Sequence, residues 1–263
     1  MKSILQVDNL SMSFGGLKAV DRLSFSVETG SIYGLIGPNG AGKTTVFNCI
    51  SRFYKPDNGV MTFCPDQQTY NLMDYKVHEV ITIGLARTFQ NVELIKTMTV
   101  LENLMMGMHS QLKCGILMQG FHLPSVWREE KMAKKKAMDI LDFLGLKGIE
   151  HQLAASQPYG IQKLIELGRT LIANPKLIIL DEPAAGMNGA ETEALAKLIK
   201  KIRDQYGVTI LLVEHDMGLV MEVCEKICVI SFGKKIAEGT PEAIQDDPAV
   251  QEAYLGKEDE VHA

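Results

Sequence analysis

Short apolar runs separated by glycine-bearing turns fill the first part of the chain, and longer stretches with helical spacing follow them. Residues 4–7 and 23–27 are β-like and are broken by Gly15-Gly16 and Thr29-Gly30, which predicts an antiparallel opening of hairpins or a meander. Ile32-Tyr33-Gly34-Leu35-Ile36 then runs into a glycine-rich turn, and residues 43–51 have helical composition, so this unit reads strand, loop, helix. From Thr99 onward the pattern is helical. Residues 127–144 form a long amphipathic stretch whose basic run, Lys131 to Lys136, is expected to be a solvated face. Two more strand–helix units follow: residues 177–180 with a helix from Ala190 to about Tyr206, and residues 208–213 with a helix from about Met217. Alternation of this kind implies a mostly parallel sheet with helices packed on its faces. No internal repeat or low-complexity tract interrupts it, and only residues 257–263 look frayed.

Composition narrows the function classes. With 263 residues, 46% hydrophobic and 22% charged, the chain can bury one large core, with room for a lobe. A formal net charge of -5 and a pI near 5.7 supply no global attraction to nucleic acid or to an anionic membrane surface. The opening Met1-Lys2-Ser3-Ile4-Leu5-Gln6-Val7-Asp8 lacks the apolar core of an export signal, and the most hydrophobic stretches have only strand length, so no membrane span is expected. Five cysteines without a CxxC pair, Cys49, Cys64, Cys114, Cys224 and Cys228, fit a reducing compartment. Cys224 and Cys228 are spaced to share a helix face if the helix extends that far, as packed thiols rather than a metal site.

The candidate chemistry begins at Gly37-Pro38-Asn39-Gly40-Ala41-Gly42-Lys43-Thr44, a GxxxxGK[ST] pattern placed after a predicted strand and opening a predicted helix. Glycines there let successive backbone N–H groups turn inward around a phosphate chain. Lys43 adds a point charge against the outer phosphates, and the Thr44 hydroxyl is suited to Mg²⁺. A phosphate-transferring site of this kind needs a further carboxylate for the metal and a group to activate water. Leu177-Ile178-Ile179-Leu180-Asp181-Glu182 offers both at the end of an apolar strand: Asp181 for the metal's water shell and Glu182 for the attacking water. His215 follows the next apolar strand, on the sheet edge where ligands bind in open α/β sheets.

These motifs, with Gln90 in Thr88-Phe89-Gln90-Asn91 and Tyr159-Gly160 before a helix, resemble in order and spacing the nucleotide-binding domain of ABC transporters, over about residues 4–256. The resemblance implies an α/β fold of the P-loop NTPase, RecA-like type: a mostly parallel sheet core, an N-terminal antiparallel β subdomain and an inserted α-helical subdomain. Residues 1–263 would be one ATPase domain, with the helical insertion at about 91–173. It implies ATP and Mg²⁺ as cofactors. Gly37, Pro38, Asn39, Gly40, Ala41, Gly42, Lys43, Thr44 and Thr45 would hold the phosphates, and Phe14 would stack on adenine. Thr44, Gln90 and Asp181 would serve the metal, and Glu182, His215 and Gln90 the hydrolysis. Tyr159 and Gly160 would meet ATP held by a second ATPase subunit, identical or different, across a nucleotide sandwich. Further implied partners are two transmembrane permease subunits and, indirectly, a solute-binding protein; nucleic acid is not among them. The location implied is the cytoplasmic face of the cell membrane, held there through the permeases.

Two segments depart from the family's pattern. The signature loop, usually Leu-Ser-Gly-Gly-Gln, reads Gln157-Pro158-Tyr159-Gly160-Ile161, so Pro158 supplies neither hydroxyl nor N–H. What remains for an anion is Gly160 and the start of a helix expected from about Ile161 to Ala173. In Ala185-Gly186-Met187-Asn188 an Asn stands where the family has Asp. These segments, and the tail from Gly239 to Gly256, look like the branched-chain amino-acid branch of the family, which implies amino-acid import as the work being powered. Another solute such as urea or lipid is the alternative within transporters. A non-transport ABC ATPase and a P-loop kinase are the alternatives outside them. No coiled-coil insertion or basic patch supports the former, and the latter leaves Gln90, Tyr159-Gly160 and His215 without roles.

Overall fold

The computed structural model describes residues 2–88, 92–108 and 124–255, with backbone alone at 124–127 and 255. They fall into two compact units, Met1–Arg87 with Lys176–Ala263, and Thr88–Pro175.

The first unit holds two sheets. Strands β1 (Ser3–Phe14) and β2 (Leu17–Glu28) form a long antiparallel hairpin, extended by β4 (Asn58–Phe63) and β5 (Tyr70–Asn71) in the order β2-β1-β4-β5. The β-like runs at 4–7 and 23–27 are thus only the inner parts of two 12-residue strands. The ladder continues through Met12↔Val20, Ser13↔Lys18 and Phe14↔Leu17, where backbone pairing extends the hairpin past the inner apolar runs. Gly15, at φ 58°, closes the turn.

The second sheet has β3 (Ile32–Ile36), β6 (Leu85–Arg87), β7 (Leu177–Asp181), β8 (Thr209–Val213), β9 (Lys226–Ser231) and β10 (Lys234–Gly239), in the order β10-β9-β3-β8-β7-β6. All neighbours are parallel except β10, which pairs antiparallel with β9. Every residue of β3, β7 and β8 is buried, as expected for strands covered on both faces, which explains why they read as unbroken apolar runs. Helix α1 (Lys43–Ile50) sends Val46, Phe47 and Ile50 into a core that also takes Leu35, Ile179, Leu211 and Val213 from this sheet and Leu5, Val7 and Leu10 from the other. That shared core holds the loops at the carboxyl ends of β3, β7 and β8 on a rigid base.

The second unit contains helices α2 (Val100–Met106), α3 (Pro124–Phe143) and α4 (Tyr159–Leu171). Thr99 caps α2 in a reciprocal capping box with Glu102. Asn103, fully buried, ties down the preceding loop: its amide group bonds the carbonyls of Ile95, Met98 and Thr99 and accepts from Ile95 N–H. The apolar segment at 100–108 is core in its first half, with Val100, Leu101 and Leu104 buried, and opens out after it, with Met106 exposed. Gly168 lets α4 approach Leu144, Leu104 and Ile140 closely, since an added Cβ would lie 2.9 Å from Leu144 Cδ1.

Several expectations need correction. The basic run 131–136 is not wholly solvated: Lys136 donates to Ile172 O at 2.7 Å, satisfying an orphan carbonyl at the end of α4, and burial lowers its pKa. Helix α4 begins at Tyr159 rather than Ile161 because Pro158 takes the N-cap place, with Gln162 N–H bonding Pro158 O at 3.0 Å. Cys224 and Cys228 share no helix face: α5 (Gly189–Tyr206) is followed after β8 by α6 (Met217–Val223), which stops at Cys224, and Cys228 lies in β9. Both are buried. The chain ends in α7 (Pro241–Gln245) and α8 (Pro248–Leu255). Among the described residues, no helix is long and apolar enough to cross a membrane.

Candidate functional site

The loop after β3 is shaped by glycines that nothing else can replace. A Cβ on Gly37 would stand 2.0 Å from Ile230 O, and one on Gly42, at φ 105°, would stand 2.5 Å from Ala19 O. The turn between β9 and β10 braces the loop from outside, with Gly233 N–H donating to Ala41 O at 2.9 Å and Gly233 O accepting from Asp21 N–H at 2.9 Å. Gly42 caps α1, whose first turn carries no acidic residue, so the helix dipole and the loop amides together favour an anion there. Lys43 is buried, and its Nζ donates to Gly37 O at 2.6 Å and Pro38 O at 3.1 Å, so its charge is carried on the loop itself.

A pocket of about 410 Å³ opens here. One side is Asn39, Gly40, Ala41, Gly42, Lys43, Thr44 and Thr45; the others are Leu17, Lys18, Ala19, Phe232 and Glu182. A nucleotide's phosphates and ribose fit such a space, with an apolar strip at one rim. Phe14 is not among the described residues lining it. Its ring, partly exposed at the end of β1, meets Tyr54 edge-on at 5.3 Å between centroids.

Asp181 and Glu182 lie where β7 leaves the sheet. Asp181 is buried, and its Oδ2 accepts from Arg87 Nη2 at 2.7 Å; Arg87 Nη1 in turn reaches Asn48 Oδ1 on α1 at 2.7 Å and Ser51 Oγ at the C-cap of that helix at 3.0 Å. Arg87 thereby links the strand that presents Asp181 to the helix that presents Thr44. Glu182 adopts φ 47°, a left-handed conformation uncommon for a non-glycine residue, held by its N–H bond to Val213 O at 2.9 Å. That turn brings Glu182 into the pocket wall. His215 follows β8, next to β7 in the sheet, and is exposed; its Nδ1 is 3.7 Å from the carboxylate of Glu214.

Thr44 and Asp181 are hard oxygen donors, and no group of three or more His, Cys, Asp or Glu side chains suited to a metal occurs among the described residues. That donor set fits Mg²⁺ carried in with phosphates, which keeps several waters and uses one or two carboxylates, rather than an all-protein cage.

Tyr159 and Gly160 are in the other unit, as the first residues of α4. Tyr159 is exposed, with Lys163 Nζ 5.3 Å from its ring centre. Gln90 lies outside the described residues. Arg87 and Glu214 escaped the sequence reading. The signal for Arg87 was a charge closing the short apolar run Leu85-Ala86, and for Glu214 a carboxylate directly against an apolar strand.

A glycine-built phosphate loop between a buried parallel strand and its helix, with two acidic residues ending a nearby strand, defines a P-loop nucleotide-binding protein. Comparison with known proteins narrows this. The ABC transporter family matches residues 20–185, and the branched-chain amino acid ATP-binding cassette transporter family matches residues 234–260. The high-affinity branched-chain amino acid transport ATP-binding protein BraF of Pseudomonas aeruginosa is 42% identical over 256 residues, covering 97% of this chain and 99% of that protein. The high-affinity branched-chain amino acid transport ATP-binding protein LivG of Salmonella typhimurium is 42% identical over 254 residues, covering 97% of this chain and 98% of that protein. Among solved structures, the ADP conformation of MJ1267, an ATP-binding cassette of an ABC transporter, superposes with a TM-score of 0.83 at 34% identity, covering 97% of this chain and 100% of that one. A nucleotide-free ATP-binding cassette from an ABC transporter gives 0.81 at 33% identity, covering 96% and 99%. The chain belongs to the ABC transporter ATP-binding family, in its branched-chain amino-acid group.

Proposed function

We propose that this chain is the ATP-binding and ATP-hydrolysing subunit of an ABC importer for branched-chain amino acids. The observation that carries the reading is the pocket in which residues 39–45 and Glu182 face a common space. The relatives named for branched-chain amino-acid transport, and the matching tail at 234–260, support the solute class.

In this reading the amides from Gly40 to Thr45 and the Lys43 charge cradle the phosphates, and the Thr44 hydroxyl and the Asp181 carboxylate hold the hydrated Mg²⁺. The metal, when bound, neutralises charge on the outer phosphates. Glu182 orients the attacking water and accepts its proton as the bond to the γ-phosphorus forms and the bond to the ADP oxygen breaks. His215 steadies the terminal phosphate, and Gln90 completes the set beside the metal. The family's pattern assigns adenine stacking to Phe14, which lies outside the pocket lining and would have to meet the base beyond it. Most of the acceleration comes from positioning and preorganised charge, because phosphoryl transfer needs little covalent chemistry from the protein.

The second unit, Thr88–Pro175, contains the helical insertion of a single ATPase domain, at about 91–173, and it presents Tyr159, Gly160 and the start of α4 to ATP bound by a partner ATPase. With Pro158 as N-cap and no side-chain cap, that helix end keeps its amides available for an anion. Two permease subunits hold the pair of ATPases at the cytoplasmic face of the membrane, and a solute-binding protein delivers the amino acid outside.

Size-exclusion chromatography with light scattering of the Glu182→Gln protein, with and without Mg-ATP, tests this. Blocked hydrolysis traps the sandwich, so an ATP-dependent shift from monomer to dimer supports the mechanism with a homodimer. A monomer that binds ATP without pairing assigns the second half-site to a different subunit, and a protein that does not bind ATP overturns the reading.

A further inference from the structure

Glu214 is a carboxylate in a place where packing alone would favour an apolar side chain. It follows the last residue of β8, and only 1% of its side chain is exposed. Its oxygens are met by backbone donors from two loops: Oε1 accepts Ala184 N–H at 2.7 Å, and Oε2 accepts His215 N–H at 3.1 Å and Asp216 N–H at 3.4 Å. Burial raises its pKa while the three amides lower it. A charge taken out of water is costly, so its presence calls for a geometric return.

The geometry supplies one. Strands β7 and β8 pair as far as Asp181↔Val213, and the Glu182 N–H still reaches Val213 O at 2.9 Å. Past that point the strand ladder ends, Glu182 turns through its left-handed conformation, and the two chains would separate. The Glu214 carboxylate bridges them there, with one oxygen on the loop that leads from Glu182 to the Asn188 cap of α5 and the other on the loop that carries His215.

We propose that Glu214 is a positioning residue that couples the loop after Glu182 to the loop of His215, so that both take their places against the terminal phosphate as one unit. This rests on the nucleotide-hydrolysing reading above. Because neither loop belongs to the wall at 37–45, the coupling acts on turnover and not on the grip on ADP.

Hydrogen exchange of the full-length chain, wild type against Glu214→Gln, tests the coupling directly. A carboxamide keeps one acceptor and turns an N–H pair towards an N–H donor, so amides at 182–188 and 214–217 are expected to exchange together, faster by about tenfold or more, while β7, β8 and residues 37–50 stay unchanged. Mg-ADP affinity should stay within about twofold, while kcat of the assembled transporter falls by about tenfold or more with KM little changed. Glu214→Asp, one methylene shorter, keeps the carboxylate beside His215 and should loosen 182–188 alone; it also serves if the amide variant fails to fold. Exchange rising throughout the sheet, loops unchanged in both variants, or unaltered turnover would overturn the proposal. If the wild-type chain binds no nucleotide, the hydrolytic reading fails instead, and the exchange pattern still decides whether the two loops are coupled.

Discussion

Replacing Arg87 with methionine should destabilise the sheet at the strand end that carries Asp181. The Arg87–Asp181 pair is 2.7 Å apart with side chains only 9% and 7% exposed, so the variant takes a close positive charge away from a buried carboxylate. Breaking a buried ion pair from one side costs about 3–5 kcal/mol. Asn48 and Ser51 also lose the donor that reaches them at 2.7 and 3.0 Å. At about 2–4 °C per kcal/mol for a chain near this size, the unfolding midpoint should fall by roughly 6–20 °C. Thermal and urea unfolding followed by circular dichroism measures it. The double variant Arg87→Met with Asp181→Asn removes the buried negative charge as well and should recover about 2 kcal/mol or more, because much of the penalty comes from keeping a charge buried once the guanidinium is gone. A loss below about 1 kcal/mol in the single variant, or a double variant as unstable as the single, would refute this account of the pair.

Three further outcomes are expected. Asn188 accepts from Glu191 N–H at 3.0 Å in the capping box that opens α5, so Asn188→Ala should cost about 1 kcal/mol in urea unfolding, whereas Asn188→Asp keeps the cap and should be neutral or slightly stabilising. Pro158→Ser gives α4 a side-chain cap that it lacks; stability should rise by about 1 kcal/mol or less with ATPase activity retained, and a total loss of activity would show that the proline itself is required. Burial pushes Cys49 up to about 11, and Cys224 and Cys228 up to about 12. The folded chain therefore holds protons that the unfolded chain releases above the ordinary thiol pKa of about 8.5, so their contribution is intact below that pH and is lost as pH rises towards 11–12. Urea midpoints that fall between about pH 9 and 11, and thiols that resist alkylation at about pH 8 until the chain unfolds, would agree; prompt labelling of all three in the folded protein would not.

The strands that build the site were legible because burial on both faces writes itself as an unbroken apolar run: Ile32-Tyr33-Gly34-Leu35-Ile36 and residues 177–180 could be little else. The phosphate loop was legible for a related reason, since the glycine at 37 answers to a carbonyl 2.0 Å from where a Cβ would sit, and a constraint that hard leaves one residue type. The long hairpin was only half visible. Its outer ladder mixes apolar pairs, Met12↔Val20 and Phe14↔Leu17, with the polar pair Ser13↔Lys18, and what extends it is backbone pairing rather than a buried apolar run.

Local chemistry in the sequence thus determined the phosphate loop, the acidic strand end and the kinship with ABC ATPases, because each depends on neighbours a few positions away. Only the tertiary structure decided that Arg87 reaches across 94 positions to Asp181, that Glu214 spans 30 to bind Ala184, and that Lys136 closes the end of α4. Those are meetings between charged groups and distant backbone or side chains, set by which strands become neighbours and how deeply each group is cut off from water. A sequence records the charge, but the fold supplies the partner and the low dielectric that make the charge matter.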